Sequence, residues 1–297
     1  MFFGSARTCS AGGSQCKTTS ERHLNDQEAN YLLGHSDAEH ERLIRQAKWL
    51  NPVTETFLRE AGVGLGQRVL ELGSGVGDVA MLLSRLVGPS GEVVAIERDA
   101  RSINRAKARV IEAGLHNVAF VHTDIAQFSS ATSFDALVGR YVLQFLPDPV
   151  GVLRSLSKYV RSDGTVAFQE VSWAPFAALS ANLPLWSASV SLLREISVLV
   201  GVNIEMGPAL HRVFQDAGLP IPKMRVAMEL GADPEFTRLL PDAIASVYPH
   251  IEKHGLKFSD VGDLASLRQR LDEEVASANV VVPWLPLVGA WCRKSDD

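Results

Sequence analysis

Residues 69–78 run Val69-Leu70-Glu71-Leu72-Gly73-Ser74-Gly75-Val76-Gly77-Asp78, an apolar stretch that breaks into a turn with glycine at three alternate positions. Glycine there permits positive φ and lets the backbone approach a ligand at van der Waals distance. A turn of this kind at the carboxyl end of a first strand is a nucleotide-binding position in doubly wound sheets, although taken alone it could simply reverse the chain. Two further acids fall in matching places. Glu97 ends the next apolar run, twenty positions after Gly77, where a carboxylate can accept both ribose hydroxyls of an adenosine. Asp124 and Ile125 follow the third run, where the acid could accept from the adenine amino group and the aliphatic chain lie along the ring. Singly, either acid could be a solvated turn residue or a helix N-cap, the commoner role for such residues. Three successive strand tips with suitable groups point to adenosine.

These residues need elements to hold them. Short β-rich runs at Arg68–Leu72, Glu92–Glu97, Val118–His122, Phe134–Gly139 and Gly164–Glu170 alternate with helical patterns at Asp78–Leu86, Ala100–Ile111 and Pro149–Val160, the signature of parallel strands with crossover helices. Upstream, Ala38–Leu50 has helical spacing, and Asn51-Pro52 reads as a fresh start for a short helix to Ala61, with Asn as N-cap and Pro at the first position. After Glu170 helices are expected at Leu183–Val200, Pro208–Ala217, Pro234–His254 and Asp263–Ala278, with strands at Met224–Leu230 and Leu287–Arg293. The expected organisation is a flexible Ser/Thr/Gly-rich tail over 1–22 and one domain over 23–297, with helical cap elements at 25–62 and about 183–280.

Of the 297 residues 46% are hydrophobic, enough for a large core, and the net charge of −5 carries no basic stretch, which argues against nucleic acid as substrate. The three cysteines have neither zinc-site spacing nor an even count, so a reducing, cytoplasmic setting is expected, with no secretory signal and only a weakly supported organelle leader in the tail. No membrane span is expected, since Arg194 and Glu195 interrupt one apolar stretch and Pro283 and Pro286 another. Oligomeric state is left open. No metal site is expected: His250 and His254 lie four apart, but the zincin arrangement needs an acid directly after the first histidine, where Ile251 stands, and no third ligand is evident. Neither is a G-x-S-x-G nucleophile elbow present. A dinucleotide fingerprint begins at Gly73-x-Gly75 but would need a small residue at 78, where Asp78 stands.

The segment Glu71-Leu72-Gly73-Ser74-Gly75-Val76-Gly77 resembles the E/D-x-G-x-G-x-G motif of class I S-adenosylmethionine-dependent methyltransferases. The similarity runs from about Tyr31 to Arg293. It includes Phe134 to Arg140, Leu146-Pro147-Asp148-Pro149 and Asp163 to Glu170, which resemble the fourth strand, its following helix and the fifth strand of the small-molecule branch containing quinone-biosynthesis methyltransferases. The resemblance implies an α/β fold, a doubly wound, mostly parallel seven-stranded sheet whose last strand is antiparallel, and S-adenosyl-L-methionine as cofactor. Carried over by position, it implies cofactor contacts from Glu71, Gly73, Gly75, Gly77, Glu97, Arg98, Asp124, Ile125 and Arg140. Tyr31 and Gln46 match an N-terminal cap that also touches cofactor.

Methyl transfer from a sulfonium needs alignment and exclusion of water before any acid or base, and a base only where the acceptor is protonated. Glu170, at the tip of the fifth strand, is the candidate base, with a structural role as capping or ion-pairing group the alternative. Tyr141 and Arg140 are candidate orienting groups, and Tyr141 with Trp173 candidate walls of an acceptor pocket, whereas Phe145 and Phe176 read as core. The expected function is methyl transfer to a small molecule. A protein of another class, binding S-adenosylmethionine as a sensor or partner subunit without turnover, fits the same glycines and acids.

Overall fold

The computed structural model describes residues 36–180, 182–257 and 259–295. Tyr31 and the expected tail lie outside them. The first element, α1 (Asp37–Glu60), is capped by Ser36, whose hydroxyl accepts the Glu39 amide at 3.1 Å. Its buried positions Gln46, Ala47, Leu50, Thr54, Phe57 and Leu58 recur at helical spacing straight through Pro52. The expected restart at Asn51-Pro52 is therefore corrected: one helix continues, because proline removes only one backbone hydrogen bond while the buried stripe runs on either side.

The strands β1 (Arg68–Leu72), β2 (Glu92–Glu97), β3 (Val118–His122), β4 (Phe134–Arg140), β5 (Val160–Val171), β6 (Lys223–Ala227) and β9 (Leu287–Arg293) form one sheet in the order β3-β2-β1-β4-β5-β9-β6. The first five are mutually parallel, and β9 lies antiparallel to both β5 and β6. Crossover helices α2 (Asp78–Val87), α3 (Ala100–Glu112) and α4 (Pro149–Leu156) join the early strands. Strand β1 pairs with β2 on one side and β4 on the other, so the order reverses at β1, where doubly wound sheets open their ligand crevice.

One face of the sheet, through Val69, Val93, Ala95, Ala136, Val138 and Ala167, packs on Phe57 and Leu58 of α1 and the apolar side of α2. The other, through Leu70, Leu72, Ile96, Leu137, Val166 and Phe168, packs on α4 and on Leu210 and Phe214 of α7 (Met206–Asp216). A third core lies in a cap made by α5 (Trp173–Ser180), α6 (Pro184–Leu199), the single turn α8 (Pro234–Thr237), α9 (Leu239–His254) and α10 (Leu267–Ala278), around Trp173, Phe176, Trp186, Phe236 and Trp284.

Several expected boundaries shift. The helix expected to reach Val160 ends at Leu156, and β5 begins at Val160. The strand expected over Met224–Leu230 stops at Ala227, and Leu230–Gly231 (β7) pairs instead with Val282–Pro283 (β8) in a separate two-stranded ribbon. Helix α5 was not anticipated, since its almost uniformly apolar sequence has no polar face to mark a period.

Candidate functional site

Parallel pairing puts Leu72 beside Ile96, and the chain turns at once, with the amides of Gly73 and Ser74 donating to the Ile96 carbonyl at 3.0 and 3.1 Å. Gly75 has φ +51°, and a Cβ built there meets nothing within 4 Å, so the space above it is free for a ligand. Gly77 caps α2 without a side-chain bond. Behind the turn, Arg109 donates to the Val76 carbonyl at 2.6 Å and to Asp78 at 2.7 Å. The charge of Asp78 is thus met by a cation.

Glu97 joins the second strand tip to the turn. One carboxylate oxygen accepts the Gly75 amide at 2.8 Å, and the other accepts the amides of Arg98 at 2.8 Å and Asp99 at 3.0 Å. A carboxylate has about four acceptor positions, so capacity remains toward the crevice. Arg98 is held by its backbone, its carbonyl accepting from His122 Nε2 at 2.9 Å. Asp124 caps the short turn Ile125–Gln127, accepting the Ala126 amide at 2.8 Å through one oxygen. Ile125 is half-buried beside the β-sheet core.

Glu71 is the least satisfied of these acids. Its side chain is 2% exposed and one oxygen has no hydrogen-bond partner. Burial pushes its pKa up to about 8, with Arg140 pulling the other way and Asp78 and Glu97 adding to the rise. A buried, unpaired carboxylate oxygen just before the glycine turn calls for a cationic partner.

Arg140, at the end of β4, donates to Asn51 Oδ1 at 3.0 Å and Thr54 Oγ1 at 2.9 Å, both on α1. Burial lowers its pKa, opposed by Asp78, Tyr141 and Glu71. Gln46 lies on the same helix, but its amide oxygen is taken by Arg42 at 2.7 Å within a buried group that includes Glu39. A groove of about 540 Å³ also opens between the outer faces of α1 and α2, bordered by Lys48, Asn51, Asp78 and Arg109. None of the turn glycines or strand-tip acids lines it.

Beyond β4 the backbone is bent and tied. Tyr141 has φ +55°, a costly region for a bulky residue. Its amide donates to the Gln169 carbonyl at 2.9 Å and its hydroxyl to the Leu285 carbonyl at 3.3 Å. Glu170 is fully buried and accepts the amides of Val142, Leu143 and Gln144 at 3.0, 2.7 and 3.4 Å. Burial raises its pKa to about 8 despite these three donors. Where a base facing the crevice was expected, the structure shows a carboxylate spent on the loop after Tyr141. The Trp173 ring, expected at a pocket wall, is 4% exposed and packs on Phe176 with centroids 5.8 Å apart, inside the cap.

The profile of the family described as "Methyltransferase domain" matches residues 65–218, more than half of the chain and the whole stretch from β1 to α7. The chain belongs to that family. A relative of its methyltransferase domain is the ubiquinone/menaquinone biosynthesis C-methyltransferase UbiE of Coxiella burnetii (strain Dugway 5J108-111), 30% identical over 142 residues, 47% of this chain and 56% of that one. The arsenite methyltransferase of Aquipseudomonas alcaligenes is 33% identical over 143 residues, 41% of each chain. This chain spans about half the length of these curated relatives. Among solved structures, the YcgJ protein from Bacillus subtilis superposes with a TM-score of 0.52 at 14% identity, over 83% of this chain and 98% of that one, a likeness of fold.

In this methyltransferase domain the sequence hid Asn51 and Thr54, because Asn51-Pro52 looked like a helix start. It also hid Glu205, which accepts from Ser172 Oγ at 2.6 Å and from the amides of Trp173 and Ala174 at 3.0 and 2.9 Å, and so caps α5. Nothing in the local pattern marks it, since it lies more than thirty residues away.

Proposed function

We propose that the chain transfers the methyl group of S-adenosylmethionine to a small-molecule acceptor. The observation that carries this reading is the unpaired oxygen of buried Glu71 beneath an open glycine turn, where a ligand's ammonium group would be paired and its backbone-hugging portion accommodated. Glu97, with acceptor capacity left over, suits the ribose. Asp124 and Ile125 suit the adenine. Membership of the methyltransferase family supports the same donor.

When bound, the cofactor would supply an electrophilic methyl on sulfur, to whose carbon the acceptor bonds in line as the carbon–sulfur bond breaks and S-adenosylhomocysteine leaves. The chain's task is then positional. The turn and Glu97 fix the adenosine end, while Glu71 and the α1-anchored Arg140 hold the other end beside β4. The cap core includes Leu50 of α1 and packs on Tyr141 beyond β4, which puts apolar groups beside Arg140, and a less polar surrounding strengthens such polar contacts. Among the described residues no helix is long and apolar enough to cross a membrane.

Calorimetry with S-adenosylhomocysteine, S-adenosylmethionine and NAD tests the cofactor, with binding of the two sulfur ligands alone expected. Labelled S-adenosylmethionine with a metabolite extract then tests transfer, and label in a small product is the expected outcome. NAD binding without either sulfur ligand would overturn the donor. Tight cofactor binding with no labelled product would assign the chain to the sensor class.

A further inference from the structure

Under α1, on the β5 side of Arg140, the structure holds a partly open cavity of about 180 Å³, with Thr56 and Arg225 at its exposed mouth. Val53 and Phe57 of α1 form one wall, and Gln169, Gly289, Leu287 and Ala227 form the other from three adjacent strands. The register places Gln169 opposite Gly289, and Leu287 opposite Ala227. Glycine at 289 is what seats Phe57, since a Cβ there would stand 2.4 Å from its ring.

Gln169 is 2% exposed, and its amide oxygen has no hydrogen-bond partner. Buried side-chain amides without partners are uncommon in folded proteins. No protein group bonds that oxygen, and the other polar lining groups, Thr56 and Arg225, stand at the exposed mouth of the cavity. The Thr56 hydroxyl donates to the Pro52 carbonyl at 3.0 Å, and Arg225 pairs with Glu60 at 2.7 Å. A charged guest would find no free counter-ion. What suits the walls is a mostly apolar molecule with one polar group, and a cavity of about 150 Å³ already takes benzene.

The place of the cavity gives it a role. Leu72 pairs with Gly139, and Arg140 with Gln169, so Gln169 stands level with the start of the glycine turn, two strand spacings or about 10 Å away. The adenosine-side residues, Glu97 and Asp124, lie in the opposite direction, on β2 and after β3. Resting on the methyltransferase reading, we propose that this cavity is the recognition pocket for the methyl acceptor. It takes a neutral, ring-sized group with one hydroxyl or carbonyl, bonded by the Gln169 amide.

The probe is phenol, titrated into the full chain saturated with S-adenosylhomocysteine. Saturable binding is expected, abolished in Val53→Phe and in Ala227→Leu, which fill the cavity from opposite walls, while S-adenosylhomocysteine affinity stays within about twofold. Gln169→Leu should weaken phenol about tenfold and leave toluene binding intact. In the metabolite-extract assay, phenol should compete with label transfer, and either filling variant should cut transfer at least about tenfold. Absence of phenol binding in a wild type that binds S-adenosylhomocysteine would overturn the pocket, as would wild-type phenol affinity in the folded filling variants. Bound phenol that leaves transfer unaffected would overturn the acceptor role. Failure to bind S-adenosylhomocysteine, or no transfer at all from a cofactor-bound wild type, would instead strike the methyltransferase reading on which the pocket rests.

Discussion

The carboxylate of Glu97 accepts the amide of Gly75 at 2.8 Å, so the tip of β2 and the glycine turn are one connected unit before any ligand arrives. Glu97→Ala removes that tie together with the acceptor for the ribose. Cofactor affinity should fall by about 1.5–3 kcal/mol, the scale of a lost charge-assisted hydrogen bond. Calorimetry with S-adenosylhomocysteine checks this, and unchanged affinity would remove Glu97 from the cofactor site.

Glu71 makes stability depend on pH. Its folded pKa stands near 8 against an ordinary 4.5, so the folded state binds the extra proton and the resulting stability is complete below about 4.5 and lost as pH rises through about 8. Glu71→Gln cannot titrate. Its melting temperature should therefore gain on that of the wild type between pH 5 and 8. The same substitution should remove the rise in wild-type cofactor affinity expected between about pH 6 and 7.5, where an α-ammonium remains charged and favours the ionised acid. Parallel melting curves would show that Glu71 is already ionised.

Glu170 should behave as a fastener for the loop after Tyr141. Glu170→Ala strands three buried amides, each costing about 1–3 kcal/mol when unpaired, so a loss of about 2 kcal/mol or more is expected in denaturant unfolding. Glu170→Gln keeps an oxygen for Val142 and Leu143 and should recover most of it, with turnover within about tenfold of wild type. A stable Gln variant slowed by about 10²–10⁴, with the acidic limb gone from its pH profile, would restore Glu170 as the base.

Two glycines of the turn should separate binding from folding. A Cβ on Gly75 meets nothing within 4 Å, so Gly75→Ala should pay only the left-handed backbone cost of about 1–2 kcal/mol yet lose at least about tenfold in cofactor affinity. A Cβ on Gly73 would stand 2.7 Å from Val142 Cγ2. Gly73→Ala should melt earlier, by about 1–3 kcal/mol beyond the backbone cost. Equal binding by wild type and Gly75→Ala would empty the turn of its ligand role.

The parallel half of the fold was legible because apolar runs such as Val93 to Ile96 are too short for helices and are bounded by glycine or acids, while Ile103, Ala106 and Val110 keep a helical period. Strand tips follow from strand ends, so Glu97 and Asp124 could be placed. What a side chain does at a tip could not. Glu170 and Trp173 occupy similar places in sequence to crevice residues, but contacts with Leu143 and Phe176 decide that they are buried. Asn51 misled for a local reason: its type and the proline after it satisfy the rules for a helix start, whereas the partner that fixes its role, Arg140, is 89 residues away.

Helix α1 is fastened at both ends to different parts of the molecule. Arg45 pairs with Asp242 at 2.8 Å and Ser246 Oγ donates to Glu39 at 2.6 Å, both reaching α9, while about 14 Å along the axis Thr54 holds Arg140 of the sheet. The module that could be grafted between homologues to change acceptor preference is consequently discontinuous in sequence. A chimera that exchanges only the segment after β5 would leave Glu39 and Arg45 facing foreign surfaces and tilt Thr54 away from Arg140; residues 37–60 must travel with it.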